Sequence, residues 1–255
     1  IQVDKLNEID DLQPELNMPI FQRIHTQSKR FVGLALIGCL FLTYSSIAQA
    51  PLDVRVALVI GNAAYVNIPA LGNSTNDARS MATILRKLGF QVIEVVDGSK
   101  AQMDKAVENL QDLLKGKQAV AMLYYAGHGL QLDWHNYMVP VDAKLAQSSD
   151  VPKQTIDIET VITSFKKATT RMNIIVLDAC RDNPFAGKAS GKGLAQLDAP
   201  VGTFLAFATA PGNVAEDGDV ESGNGLFTQF LLKELQKPAR IEDVFKRVRL
   251  QVRQK

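Results

Sequence analysis

From residue 54 onward, apolar runs of strand length alternate with segments whose apolar positions recur at helical spacing. Residues 54–60 are apolar except for Arg55, and Gly61 and Asn62 end the run. Ala78, Met81, Ala82, Leu85 and Leu88 then lie on one helical face, stopped by Gly89. Residues 90–96 read as a second strand. Met103, Ala106, Val107, Leu110, Leu113 and Leu114 form a second helical stripe, stopped by Gly116, which feeds a third strand at 119–125. Residues 137–141 read as a short hairpin arm, 158–165 as a helix, 173–179 as a fourth strand and 201–208 as a fifth. Phe227, Phe230, Leu231 and Leu235 mark a helix ending near Pro238, and Ile241, Val244, Phe245 and Val248 mark the last one. Strands alternating with helices predict an α/β fold whose mostly parallel sheet is covered on both faces. The stretches 181–197 and 212–225 have no periodicity and read as loops.

The first 50 residues do not follow this pattern. Lys29 and Arg30 precede an apolar run over 31–44, and Ala48-Gln49-Ala50 precedes Pro51. Charged, apolar and small-residue regions in that order predict an export segment over about 29–50, placing the remainder in a periplasmic or extracellular compartment. Leu36-Ile37-Gly38-Cys39 also resembles a lipoprotein box, and an uncleaved anchor is a third reading; all three export the domain. Residues 51–255 are then one domain. Ile1 is not a methionine, and residues 248–255 stop in mid-pattern, so a truncated C-terminus is expected. With 46% hydrophobic and 22% charged residues among 255, the chain can bury one sizeable core. A formal charge of +1 gives no bulk attraction to nucleic acid or to an acidic membrane.

Of the two cysteines, only Cys180 remains after export processing, so it has no partner for a structural disulfide. It ends the fourth strand, and His128, in Tyr124-Tyr125-Ala126-Gly127-His128-Gly129, follows the third. Ligands in open α/β sheets bind beyond the carboxyl ends of strands, near the point where strand order reverses. If these two strands are neighbours, an imidazole and a thiol meet there, and an imidazole that moves a proton beside a thiolate suits attack on an acyl carbon. Gly127 and Gly129 would let backbone approach a substrate, and the Gly129 N–H could bind an oxyanion. Alone, either residue is better explained as a buried small side chain or a turn histidine; it is the pair that points to chemistry.

Arg55-Val56-Ala57-Leu58-Val59-Ile60-Gly61-Asn62, Asn76-Asp77-Ala78, the Tyr124–Gly129 segment, Leu177-Asp178-Ala179-Cys180-Arg181-Asp182-Asn183-Pro184 and Ala208-Thr209-Ala210-Pro211-Gly212 together resemble bacterial caspase-like cysteine peptidases. These orthocaspase-type relatives of metacaspases belong to the caspase family, whose signature has a histidine about 50 residues before the cysteine. The resemblance covers residue 54 to the end. It implies a caspase-hemoglobinase α/β/α sandwich, a catalytic dyad of His128 and Cys180, and an oxyanion hole from the Gly129 and Cys180 backbone. It also implies cleavage of protein or peptide substrates after Arg or Lys, with Asp77 and Asp178 binding that side chain. A buried cation needs a carboxylate partner, which agrees. Asp77 also reads as a first-turn acid serving a helix dipole, and Asp178 as a carboxylate bracing a loop. Arg181 is expected to face a carboxylate such as Asp182 rather than the pocket. Ala126 stands where metacaspases commonly carry Ser, and Asp-Ala-Cys-Arg-Asp departs from their Asp-Ser-Cys-His-Ser-Gly, so pocket depth and rate do not carry over.

Other constellations are weaker. Gly187-Lys188-Ala189-Ser190-Gly191-Lys192-Gly193 lacks phosphate-loop spacing and is a flexible segment in which Lys188 and Lys192 are candidate self-processing sites. Glu216, Asp217, Asp219 and Glu221 read as a solvated loop rather than a calcium site, although some metacaspases need calcium. No zinc set and no serine-hydrolase elbow occurs. No cofactor is expected, and metacaspase-type relatives suggest a monomer. A catalytically silent caspase-like domain acting as sensor or scaffold is the alternative.

Overall fold

The computed structural model describes residues 54–180, 201–208 and 223–255, with backbone alone for Cys180. In chain order these residues form β1 (Arg55–Gly61), α1 (Ser74–Lys87), β2 (Gln91–Val96), α2 (Lys100–Leu114), β3 (Val120–Leu132) and β4 (His135–Met138). A 3-10 turn at Ser148–Asp150 leads into α3 (Val151–Gln154), β5 (Ile156–Asp157), α4 (Ile158–Ala168) and β6 (Met172–Cys180). Then follow β7 (Thr203–Phe207), α5 (Leu226–Leu235) and α6 (Ile241–Arg253). The export segment over 29–50, Cys39, Arg181, the candidate processing lysines and the acidic residues 216–221 lie outside the described residues.

β2, β1, β3, β6 and β7 pair in that order, all parallel, and β4 and β5 extend β3 antiparallel. The mostly parallel sheet expected from the sequence is therefore present, and the third and fourth long strands are neighbours. β1 reads as a continuous apolar run because both of its faces are covered. Leu58, Ile60, Leu123, Tyr125 and Leu177 pack with α2 and α4 on one side. Val59, Tyr124 and Val176 pack with α1, α5 and α6 on the other. A capping box at Ser99 and Gln102 starts α2, and Thr169 in the left-handed region ends α4.

Strand order reverses between β1 and β3, one strand from the β3–β6 pair that carries His128 and Cys180. β3 also continues well past Tyr125, through His128 to Leu132. Where β1 ends at Gly61, β4 replaces it beside β3, with Gly129 opposite Met138 and Leu132 opposite His135. The hairpin turns on Asp133 and Trp134, both at positive φ (50° and 67°), as a two-residue turn of the favoured hand requires. Asp-Trp lacks the glycine that usually announces such a turn, so no residue pattern marks it. His128 thus sits inside a strand at its change from parallel to antiparallel pairing.

α5 is locked to α6 by Glu234, fully buried at its side chain, which accepts from Lys237 Nζ at 2.6 Å, Arg247 Nε at 2.6 Å and Gln251 Nε2 at 2.8 Å. These donors, the Lys237 hydrogen bond first, hold its carboxyl down at about 2. Gly61 governs the seating of α1 in the same helix layer. A Cβ there would collide with Ala78 Cβ and the Ser74 carbonyl, so α1 rests directly on the end of β1. Gly61→Ala should cost about 1–3 kcal/mol by overpacking. The check is a lower urea midpoint at unchanged slope; a wild-type midpoint would contradict this packing.

Candidate active site

β3 and β6 pair in parallel with Ala126 opposite Asp178, Gly127 opposite Ala179 and His128 opposite Cys180. The two residues expected to share one site are thus Cα partners on adjacent strands. Backbone polar groups alternate sides along a strand. On the β1 side of β3, the Ala126 carbonyl accepts from Asn62 N–H at 2.9 Å, and two residues later the His128 carbonyl accepts from Val139 N–H at 3.1 Å. Gly129 has the opposite parity, so its N–H is directed to the β6 side, where Cys180 ends its strand.

His128 is held at three points. Its N–H donates to the Tyr65 hydroxyl at 2.8 Å, its carbonyl accepts from the Tyr125 hydroxyl at 2.6 Å, and its Nε2 lies 2.8 Å from the Pro69 carbonyl. A carbonyl only accepts, so Nε2 carries the proton and Nδ1 is the basic nitrogen of the neutral ring. The Tyr65 ring also packs against the imidazole, with centroids 4.6 Å apart. The loop carrying Tyr65 and Pro69 is itself braced. Asp97 Oδ1 accepts from the Ala63 and Ala64 N–H groups, each at 2.8 Å, and Leu71 N–H donates to the Ala63 carbonyl at 3.0 Å. Gly127 has a reason the sequence did not reveal. At φ 157° its Cβ would lie 2.7 Å from both the Tyr65 and Tyr125 hydroxyls, so the glycine makes room for the clamp on His128.

Asp77 and Asp178 meet at the start of α5. Asp77, 4% exposed in the first turn of α1, accepts from Gly225 N–H at 2.9 Å through Oδ1. Asp178 accepts from the Thr228 hydroxyl at 2.6 Å through Oδ2. A Cβ on Gly225 would stand 3.2 Å from Asp77 Oδ2 and 3.9 Å from Asp178 Oδ2, so both carboxylates converge on this residue. The amino end of a helix is a favourable place for negative charge. Asn76 adds a bond from its amide to the Gly223 carbonyl. Burial raises the Asp178 carboxyl to about 6, against the opposing hydrogen bonds from Thr228 and Tyr124. Burial first, then the charges of Asp178 and Asp77, raises the Tyr124 hydroxyl well above its ordinary value.

The described residues therefore bring His128, Gly129 and the Cys180 backbone to one strand pair, and Asp77 and Asp178 to one helix start. Both acids also brace the 223–228 segment, the role left open for Asp178, while Asp77 also lies in the first turn of α1, as its other reading had it. Tyr65, Pro69, Tyr125, Gly225 and Thr228 were not foreseen. Pro69 and Gly225 act through backbone atoms, which no side-chain pattern announces, and Thr228 was hidden among the apolar residues that begin α5.

A family model described as caspase domain, of the C14 peptidases, matches residues 54–255. The mouse protein named mucosa-associated lymphoid tissue lymphoma translocation protein 1 homolog is 31% identical over 191 residues, covering 73% of this chain and 22% of that protein. Its human counterpart, mucosa-associated lymphoid tissue lymphoma translocation protein 1, gives the same identity and coverage. The chain spans about a fifth of the length of these relatives.

A carboxyl whose proton affinity rises on folding leaves stability intact below its unfolded pKa of 3.8 and costs stability as pH rises through about 6. Asp178→Asn, which keeps an acceptor for Thr228, should therefore stabilise the fold by about 1–3 kcal/mol at neutral pH. The gain should shrink as pH falls through about 6 in urea titrations. A variant less stable than wild type at neutral pH would contradict this.

Proposed function

The chain belongs to the caspase domain family of cysteine peptidases, and from that premise we propose that it hydrolyses peptide bonds after Arg or Lys, with His128 and Cys180 as its dyad. The observation that carries the reading is the β3–β6 register, which makes these two residues Cα partners. In the proposed reaction the Cys180 thiol gives its proton to Nδ1 of His128, and the thiolate attacks the carbonyl carbon of the scissile bond. The electron pair moves to the carbonyl oxygen, where N–H groups of Gly129 and Cys180 receive the charge. Collapse of the tetrahedral species breaks the C–N bond, and imidazolium Nδ1 protonates the departing amine. Water then attacks the thioester, giving its proton to Nδ1, and that proton returns to the leaving thiolate. The Pro69 carbonyl keeps Nε2 protonated throughout, so Nδ1 is the exchanging nitrogen.

Two carboxylates converging on Gly225 support a basic residue on the acyl side of the cut bond. A guanidinium or ammonium entering between them replaces water with charge-assisted hydrogen bonds. An aspartyl substrate would instead add a third negative charge. Cys39 belongs to no part of this scheme.

The test is a set of fluorogenic peptides ending in Arg, Lys, Asp or Leu. Arg and Lys peptides should be cut and Asp peptides left intact. His128→Ala should lower kcat by about 10²–10⁴-fold and Cys180→Ala should reduce it to background. Activity surviving Cys180→Ala, or equal cleavage after Asp and Arg, would sink the proposal.

A further inference from the structure

Thr228 lies in the first turn of α5, is fully buried, and has no place in the dyad. Its hydroxyl donates to Asp178 Oδ2 at 2.6 Å and lies 2.6 Å from the Tyr124 hydroxyl. Thr228 has one proton and spends it on the carboxylate, while the Tyr124 hydroxyl reaches both Thr228 and Asp178. Hydroxyls from β3 and α5 therefore converge on one of the two acids. Tyr124 is also fully buried, so both hydroxyls are committed to protein partners.

Resting on the basic-residue reading above, we propose that Thr228, backed by Tyr124, is a positioning residue for recognition of the substrate's basic side chain. It aims Asp178 and keeps it in the anionic form that binds a cation. The cluster has two arrangements. With Asp178 ionised, the hydroxyl protons point toward the carboxylate; with Asp178 protonated, its own O–H must be accepted by a neighbouring hydroxyl, which then turns its proton away. Only the first arrangement presents a negative charge to a substrate cation. Thr228 thus opposes the burial that pushes the Asp178 carboxyl up to about 6.

The groups around Asp178 are few among the described residues. Asp77 comes from α1, Tyr124 from β3, and Thr228 with the Gly225 N–H from α5. His128 stands two positions beyond Ala126, the β3 partner of Asp178. β7, the other neighbour of β6, reads Thr-Phe-Leu-Ala-Phe and supplies no titratable side chain. Asp77 accepts from the Gly225 amide and Asp178 from the Thr228 hydroxyl, so loss of that hydroxyl should act first on Asp178.

The experiment compares wild type, Thr228→Val, Thr228→Ser and Tyr124→Phe in the full chain, using Arg-ending peptides across pH. Thr228→Val should raise KM about tenfold at neutral pH with kcat changed less than threefold. The acidic limb of kcat/KM should move up by about one pH unit. Thr228→Ser should restore both values, and Tyr124→Phe should shift them in the same direction by less. The rate of Cys180 alkylation should be unchanged in all three variants. Wild-type KM and pH profile in Thr228→Val would overturn the inference, as would equal loss of kcat and alkylation, which marks general damage. If Thr228→Val does not fold, Tyr124→Phe decides, and an unshifted profile there overturns it. Indifference of wild type to the residue before the cut would instead defeat the basic-residue reading itself, before any Thr228 variant is compared.

Discussion

The register of β3 against β6 is the constraint on which the rest depends. In a parallel pair a slip of one residue would turn every side chain of one strand to the other face of the sheet. Two buried cores make that slip prohibitive, because Leu123 and Leu177 belong to one face while Tyr124 and Val176 belong to the other. Hydrophobic packing deep in the sheet therefore sets which residues stand opposite each other at its end. His128 faces Cys180 in the ladder because Val120 faces Met172 eight residues earlier. The same alternation directs the Gly129 N–H toward β6.

Around that pair, the molecule accepts charges that do not favour folding. Asp178 is ionised at neutral pH only at the cost of burying a carboxylate, and Asp77 is placed close by. The fold compensates with the amino end of α5, which offers the Gly225 N–H and the Thr228 hydroxyl. α5 is in turn fastened to α6 through Glu234, whose carboxyl is satisfied by three donors. The contrast is instructive. Glu234 is held near 2 by its partners and serves structure, whereas Asp178 is raised to about 6 and is suited to pairing with a visiting cation.

Much of this was legible in the chain. Continuous apolar runs gave β1, β3 and β6 because strands covered on both faces need no alternation. The helical stripes of α1, α2, α4, α5 and α6 followed from burial on one face. Asp77 and Asp178 entered through the resemblance to caspase-like peptidases, and the need of a buried cation for a carboxylate agreed with it. What stayed hidden has physical causes too. The extension of β3 depends on β4 occupying space vacated by β1, a non-local event, and its turn uses Asp133 and Trp134 rather than glycine. Pro69 acts through a carbonyl, and Thr228 looks like any small helix residue until Tyr124 and Asp178 are brought to it. Gly127 was read as access for substrate, and its real neighbours are two tyrosine hydroxyls.

The central claim is that a register fixed by the core makes His128 and Cys180 one proton-sharing pair. The most direct test is the pH dependence of iodoacetamide alkylation at Cys180, located by mass spectrometry, in wild type and in His128→Ala. Half-maximal reactivity in wild type should lie well below the ~8.5 of a free thiol and return to about that value in the variant. A free-thiol profile in wild type, unchanged by His128→Ala, would contradict the claim.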